Sequence, residues 1–369
     1  MQVQFLSYLV KLNKSIIFGN FLNHFVSYPT PVSLNYLYSF GFLSACCLGI
    51  QVISGILLSM HYTPYIQFAF FSVEQIMRDI NFGWLFRYIH SNFASIFFGV
   101  VYMHILKNLY YNSYMYPRIL VWQTGIIMYL CMMLIAFTGY VLPWGQMSFW
   151  AAMVITNLFT TIPVVGNDIA MWLWGGFSID NPTLNRFFSL HFVFPFLLVG
   201  FVIVHLLILH ISGSSNRLRI YKNMDNISFY PYFYVKDVFF LLTCIFGGIL
   251  LIYFYPNLFM HVDNYDVANP LVTPAHLVPE WYFLPYYAML RAVPNKLGGL
   301  VVMILPILLL IFVSYDVCTY SKNIVILDGI ILFLLGVYGG KPIEVPYLEL
   351  SQILTIIYLI RPFIGLSIK

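Results

Sequence analysis

Long apolar runs separated by polar connections make up most of the chain. Eight runs are about 20 residues long, and their hydrophobic positions do not alternate, which is typical of helices that cross a bilayer. A backbone in lipid must satisfy its own hydrogen bonds, and a helix does so within one segment. The pattern predicts an all-α integral membrane protein with eight transmembrane helices, at 34–57, 84–109, 118–139, 184–210, 235–254, 297–315, 323–338 and 347–365.

Composition agrees with a membrane protein and excludes a soluble one. Of 369 residues, 61% are hydrophobic and 8% are charged, whereas soluble domains carry about 25% charged residues. The five cysteines form no CxxC or CxxCH pattern, which argues against a disulfide framework, a zinc site and covalently attached haem. We see no removable signal peptide in MQVQFLSYLVKLNKS.

The basic residues predict the orientation. Eight spans put both termini on one side, and that side holds 11 of the 17 lysines and arginines: Lys11, Lys14, Lys107, Arg118, Arg217, Arg219, Lys222, Lys236, Lys322, Arg361 and Lys369. The positive-inside rule then places both termini on the inner, negative side. The net charge of +4 is a topology signal and does not indicate nucleic-acid binding.

Two predicted spans carry histidine pairs at one interval. His90 and His104 in the second span are fourteen residues apart, as are His191 and His205 in the fourth. Fourteen residues are just under four helical turns, so each pair shares one face, with about 21 Å between its members. The two spans run in the same direction, so His90 can face His191 and His104 can face His205. Two facing imidazole pairs are what two bis-histidine haems require, although a lone intramembrane histidine can also serve helix packing.

Four glycines repeat the same interval. Gly41 and Gly55 lie in the first span, and Gly125 and Gly139 lie in the third. Such glycines usually allow close helix packing. In register with the histidines, they indicate room for two flat macrocycles. The basic residues Arg87 and Lys107 could pair with haem propionates, although Lys107 could instead extend its ammonium to the membrane surface.

Two loop motifs make a family resemblance specific. The third span ends in GYVLPWGQMSFW, and the proline-rich connection contains PEWY at Pro279–Tyr282. With these motifs the chain resembles mitochondrial cytochrome b, the haem-bearing core subunit of the cytochrome bc1 complex (respiratory complex III). The resemblance extends from YSFGF near Gly41 to GGKPIEVPYLELSQ near Gly339.

The resemblance implies a ligand set for two non-covalent b-type haems. His90 and His191 match the iron ligands of the low-potential haem, and His104 and His205 match those of the high-potential haem. It also implies domains: a four-helix di-haem bundle at 1–216, and helices five to eight with the PEWY loop at 217–369.

Two quinone sites are implied as well. On the outer side, Glu280 matches the proton-accepting glutamate of ubiquinol oxidation, and Tyr140 and Tyr282 match pocket residues. On the inner side, His210 and Asp237 match proton donors to ubiquinone, and Ser214 matches a serine that contacts the quinone. Lys107 stands where arginine is common in the family, and an ammonium cannot make a bidentate contact with a carboxylate.

The implied function is the electron transfer of ubiquinol–cytochrome c reductase, coupled to proton translocation in the Q cycle. The implied partners are the Rieske iron–sulfur protein, cytochrome c1, other complex III subunits, quinone, the lipid bilayer and a second copy of the chain. The implied location is the mitochondrial inner membrane, crossed several times, with both termini in the matrix.

Two other classes remain open on the residues alone. A different bis-haem membrane reductase would use the same histidine pairs, but it needs a nucleotide–flavin domain that no soluble stretch here could form. A non-haem transporter would explain buried histidines, but not the doubled spacing or the matching glycines.

Overall fold

The computed structural model describes Gly19 and residues 26–216, 225–315 and 321–364. Within these ranges the chain is mainly helical, with twelve α-helices in chain order: α1 Phe40–Ser59, α2 Ala69–Arg78, α3 Gly83–Tyr110, α4 Ile119–Val141, α5 Gln146–Leu158, α6 Gly166–Trp174, α7 Asn181–Ser212, α8 Tyr232–Phe254, α9 Leu284–Ala292, α10 Lys296–Phe312, α11 Lys322–Gly339 and α12 Tyr347–Ile364. Short 3-10 helices occur at Tyr36–Ser39, Phe159–Thr161, Val262–Tyr265 and Val313–Tyr315.

All eight predicted spans are helical. Six helices of the described ranges are long and apolar enough to cross a membrane: α1 with its preceding 3-10 turn, α3, α4, α7, α8 and α11. The other two, α10 and α12, are apolar but shorter, with 17 and 18 residues. The prediction of an all-helical membrane protein is confirmed.

Six of the basic residues used for the orientation lie outside the described residues: Lys11, Lys14, Arg217, Arg219, Lys222 and Lys369.

The first four spans form a bundle in which α1 packs on α3 and α4 packs on α7. Its main core combines Leu43 and Cys47 of α1 with Phe93 and Phe98 of α3 and Leu198 of α7. Tyr282 of the loop before α9 belongs to the same core. The PEWY segment is therefore inserted into the bundle.

Helices α10, α11 and α12 pack around α9, and α8 and α11 also contact α3 of the bundle. Ala288 and Met289 of α9 are fully buried against Ile331 and Leu335 of α11. The indole Nε1 of Trp122 on α4 donates to the Leu310 carbonyl of α10 at 2.7 Å. The predicted division between residues 216 and 217 falls at the edge of the undescribed segment 217–224 and stays a prediction.

A two-stranded antiparallel ribbon also links the two parts of the chain. Strand β1 is Pro29–Pro31 and strand β2 is Asn226–Ser228, with Thr30 opposite Ile227. The ribbon ties the segment before α1 to the segment before α8. The sequence does not predict this ribbon, because both strands have only three residues, two of them prolines in β1, and so carry no periodic signal.

The long loops are joined to each other on the side that the basic residues predict to be outer. Gly145 pairs with Val267 in an isolated antiparallel bridge, and the Gln146 side chain donates to the Val272 carbonyl at 2.9 Å. Ser148 donates its backbone N–H to the side-chain oxygen of Asn264 at 2.9 Å. The start of α5 is thereby fixed against the loop that leads to PEWY.

Candidate haem and quinone sites

The outer histidine pair lies across the bundle with the spacing of two ligands to one metal. The rings of His90 on α3 and His191 on α7 have centroids 6.1 Å apart and planes at 87°. Imidazole nitrogens bind first-row metals at about 2.0–2.1 Å, so two rings on opposite sides of one iron stand about 6 Å apart. The observed separation fits a single haem iron between the two rings.

Hydrogen bonds determine which nitrogen of each outer ring carries the proton. Nδ1 of His191 lies 2.8 Å from the Ile135 carbonyl, which can only accept. Nδ1 of His90 lies 3.0 Å from the Ser54 hydroxyl, whose own proton goes to the Ile50 carbonyl at 2.7 Å. Both rings therefore carry the proton on Nδ1, and Nε2 keeps the lone pair that a metal requires.

The inner pair is less uniform. Nδ1 of His205 lies 2.9 Å from the Thr124 hydroxyl, which donates to the Leu120 carbonyl at 2.9 Å. This ring is therefore in the same ligating form. In His104, by contrast, Nδ1 is buried without a hydrogen-bond partner among the described residues, and Nε2 has only a long contact of 3.4 Å to the Asn108 amide. Neither nitrogen of His104 is held by a strong hydrogen bond.

Each of the four glycines lies beside one of the four histidines. A Cβ atom on the glycine would stand close to the ring carbon Cε1 in every case: 3.0 Å for Gly55 and His90, 2.3 Å for Gly139 and His191, 3.1 Å for Gly41 and His104, and 3.5 Å for Gly125 and His205. The glycine rows thus face the imidazole edges at both depths. Room for the macrocycles stays a prediction.

The two basic residues proposed for propionates lie at opposite ends of the bundle. Arg87 borders the outer cavity next to His90. Lys107 is only 8% exposed, with its ammonium 2.8 Å from the Asn108 side-chain oxygen and 4.1 Å from the centre of the Tyr38 ring. It therefore does not extend to the membrane surface. Neither cation forms an ion pair with a carboxylate of the described residues, so both fit an acidic ligand.

One cavity of about 300 Å³ joins the outer histidine pair to the predicted quinol site. His90 and His191 line this cavity together with Tyr140, Glu280 and Tyr282. Burial raises the pKa of Glu280 to about 7, while a hydrogen bond from Tyr140 acts in the opposite direction. The cavity therefore holds a carboxylate whose pKa suits proton transfer near neutral pH.

The predicted inner quinone residues approach one end of the bundle from different elements. The ring of His210, at the end of α7, stacks on Tyr28 with centroids 4.7 Å apart. Asp237 of α8 is 9% exposed and accepts a hydrogen bond from Ser39. The carbonyl of Ser214 accepts from Arg118 at 3.0 Å. Both His210 and Asp237 thus contact the segment that precedes α1.

Two family models cover most of the chain. The model described as Cytochrome b/b6/petB matches residues 25–213, and the model described as Cytochrome b(C-terminal)/b6/petD matches residues 267–359. The chain belongs to the cytochrome b family. Among curated cytochromes b, it is 51% identical to that of Cyanidium caldarium over 93% of both chains. It is also 51% identical to that of Phytophthora megasperma, over 95% of this chain and 93% of that one.

A solved structure shows the same fold. A chain of the structure titled "Hyperthermophilic respiratory Complex III" superposes with a TM-score of 0.88 at 32% identity, over 98% of both chains. The histidine pairs and the PEWY segment described above therefore lie within a cytochrome b fold that is matched over its whole length.

Several polar contacts of this cytochrome b were not found from its sequence. Ser54 and Thr124 set the proton positions of two histidines, and Tyr102 and Tyr129 bond to the PEWY region and to each other. Hydroxyl residues inside apolar spans look like ordinary packing residues. Ser54 and Thr124 carried a signal, because each directly precedes a glycine of the fourteen-residue pattern, Gly55 and Gly125.

Proposed function

We propose that this cytochrome b is the haem-bearing core subunit of a respiratory complex III, a quinol–cytochrome c oxidoreductase. It moves electrons across the membrane from quinol oxidation at the outer cavity to quinone reduction at the inner end. The observation that carries the proposal is the 6.1 Å separation of the His90 and His191 rings, with a second histidine pair fourteen residues along the same helices. The structural match to a complex III chain supports it.

Two b-type haems would be held by the histidine pairs, one by His90 and His191 and one by His104 and His205. When bound, such haems supply centres that accept and release one electron at a time. Of the two pairs, the outer one is closer to a metal-binding arrangement, because both of its rings carry the proton on Nδ1 and leave the Nε2 lone pair free for a metal. Arg87 and Lys107 would neutralise the acidic side chains of the two groups.

Glu280 is the proposed proton acceptor for quinol at the outer site. Its carboxylate form accepts the proton of a quinol hydroxyl, and the raised pKa lets it release that proton near neutral pH. Tyr140 holds the carboxyl through its hydroxyl, and the buried Tyr282 closes the cavity wall beside it.

At the inner site, His210 and Asp237 are the proposed proton donors to a reduced quinone, with Ser214 as a further contact. Histidine titrates near neutral pH and can pass protons from the aqueous side. The stacking of His210 on Tyr28 and the hydrogen bond from Ser39 to Asp237 support this proposal, because both side chains contact the segment that precedes α1.

The proposed partners follow from family membership. They are a Rieske iron–sulfur protein and cytochrome c1 at the outer loops, other complex III subunits, and a second copy of the chain. The proposed location is the mitochondrial inner membrane with both termini on the matrix side, which the distribution of basic residues supports.

The deciding experiment is a reduced-minus-oxidised spectrum of the purified complex, calibrated as pyridine haemochrome. We expect two b-type haems per chain. His191→Ala should leave one haem, because it removes an outer ligand, and His205→Ala should leave the other. A purified complex that contains no haem would refute the di-haem proposal and favour a non-haem transporter. One haem in the unmodified chain would refute one of the two histidine sites.

A further inference from the structure

Three tyrosine hydroxyls form a chain that ends on the PEWY segment. Tyr102 of α3 donates to the carbonyl oxygen of Tyr282. Tyr129 of α4 donates to the Tyr102 oxygen at 3.3 Å, and its own oxygen lies 2.8 Å from the hydroxyl of Tyr286 on α9. The hydrogen-bonded hydroxyls therefore connect α3, α4 and α9 to one peptide group of the motif.

The Tyr282 carbonyl fixes the donor-to-acceptor direction of the hydrogen bonds between these hydroxyls. A carbonyl can only accept, so the Tyr102 proton points to Tyr282 and the Tyr102 oxygen accepts from Tyr129. Tyr129 has then used its proton, and it accepts the proton of Tyr286. Removing any of these hydroxyls leaves a polar group in the core without its partner, which is costly.

The Tyr282 carbonyl depends on this side-chain donor. In the described turn that leads into α9, Phe283 donates its N–H to Glu280 at 2.8 Å, Leu284 donates to Trp281 at 3.3 Å, and Tyr287 donates to Phe283 at 3.0 Å. These backbone bonds use the carbonyls on either side of Tyr282. Tyr102 supplies the bond that the Tyr282 carbonyl would otherwise lack.

The side chain of Tyr282 is fixed as well. Its ring is 5% exposed and stacks face to face on Phe98, with centroids 3.9 Å apart and planes 2° apart. Glu280 lies two residues earlier in the same turn and faces the outer cavity. The Tyr282 carbonyl and the Phe283 N–H belong to one peptide group, and that N–H donates to the Glu280 carbonyl at 2.8 Å, so a rotation of this peptide would move the main chain at Glu280.

We propose that Tyr102, Tyr129 and Tyr286 are positioning residues for the outer quinol site. They hold the main chain at Tyr282 and thereby aim the Glu280 carboxyl into the cavity. The inference rests on the proposed function, since it takes Glu280 as the proton acceptor.

The test uses the assembled complex with Tyr102→Phe or Tyr129→Phe, assayed with a short-chain ubiquinol and cytochrome c over a range of pH. One lost hydrogen bond at a positioning residue should lower kcat about three- to tenfold. KM for the quinol should stay within about twofold, because quinol binding is not the step affected. The pH dependence of kcat should shift, since the surroundings of Glu280 change. Haem content should be unchanged, as should quinol-driven haem reduction through the inner site with the outer site blocked.

Tyr253→Phe is the matched control, because it removes a hydroxyl from a side chain of α8 that is 59% exposed. It should change none of these quantities. If Tyr102→Phe or Tyr129→Phe prevents assembly, Tyr286→Phe at the open end of the chain takes its place, with an expected fall in kcat at the low end of the range.

The outcomes separate the inference from the function beneath it. Loss of activity in Glu280→Gln together with unchanged kcat and pH dependence in the tyrosine variants would overturn the inference alone. Full activity in Glu280→Gln would overturn the proposed role of Glu280, and the positioning role with it. An equal fall at both quinone sites in the tyrosine variants would show a general structural role and would also overturn the inference.

Discussion

Gly139 leaves less room for a side chain than the other three glycines of the pattern. Its added Cβ would stand 2.3 Å from Cε1 of His191, whereas that of Gly125 would stand 3.5 Å from His205. The His191 ring cannot easily move away, because its Nδ1 is hydrogen-bonded to the carbonyl of Ile135, which lies one turn before Gly139 on α4. We expect Gly139→Ala to lose one of two haems and Gly125→Ala to keep both, as measured by pyridine haemochrome. Equal haem content in the two variants would contradict this ranking.

The raised pKa of Glu280 predicts a defined pH dependence for the proposed oxidation of quinol. Burial moves this pKa from 4.5 to about 7, so the carboxylate that accepts a proton forms as the pH rises through 7. Outer-site activity should therefore fall as the pH drops below about 7. Glu280→Gln should lose about a hundredfold in rate and this pH dependence, since a positioned base contributes about 10²–10⁴. If the rate of Glu280→Gln still rises with pH through 7, the pH dependence belongs to another titrating group.

The same shift affects folding in the opposite direction. The protonated carboxyl is favoured in the folded chain, so its contribution to stability is present below the unfolded pKa and is lost as the pH rises through about 7. Glu280→Gln should therefore gain thermal stability relative to the parent chain at pH 8, but not at pH 4.5. Tm measured at both pH values tests this. An equal gain in Tm at pH 8 and pH 4.5 would show that the effect comes from side-chain packing and not from the charge of Glu280.

At the residue scale, spacing was informative where a regular helix carries the geometry. Fourteen residues return to nearly the same face, so His90 opposite His191 followed from counting. The partners of the rings could not be counted in this way. Ser54 contacts a histidine on another helix, and Tyr286 approaches Tyr129 from a helix 157 positions later. Such contacts depend on the packing of helices and not on the sequence along any one of them.

At the scale of elements, the bridge between the outer loops depends on one glycine. A Cβ on Gly145 would stand 2.5 Å from the Asn264 carbonyl oxygen, where the two loops pair. Gly145→Ala should lower Tm by several degrees and reduce outer-site quinol oxidation, while reduction through the inner site persists. Gly176→Ala is the control, because no atom lies within 4 Å of its added Cβ. Similar behaviour of the two variants would show that the loop bridge does not support the site.

The ends of helices were predicted less well than their existence. Helix α7 was predicted to begin at residue 184 but begins at Asn181, because Asp180 and Thr183 form a capping box that extends it into a polar segment. The span predicted at 297–315 leaves the α-helix after Phe312 and continues as a 3-10 turn. Hydropathy marks the part of a helix that lies in lipid, whereas caps decide where it stops.

The orientation of the whole molecule can be tested at two exposed loop positions. Val164 is 98% exposed between α5 and α6 on the proposed outer side, and Tyr116 is 81% exposed between α3 and α4 on the proposed inner side. Single cysteines placed there, in a chain without the five native ones, should react with a membrane-impermeant maleimide from opposite sides. Position 164 should react from outside, and position 116 only in inverted vesicles. The reverse result would overturn the assigned topology. Both positions should react in detergent.

The tyrosine chain also bears on where protons can move. It begins at the hydroxyl of Tyr286 and ends at the carbonyl of Tyr282, so both of its ends lie in the segment that runs from PEWY into α9. A Grotthuss relay needs every member to both receive and pass on a proton, and a peptide carbonyl has none to pass on. The chain therefore holds the main chain at Tyr282 without conducting protons past it, and it gives a proton no route out of the site.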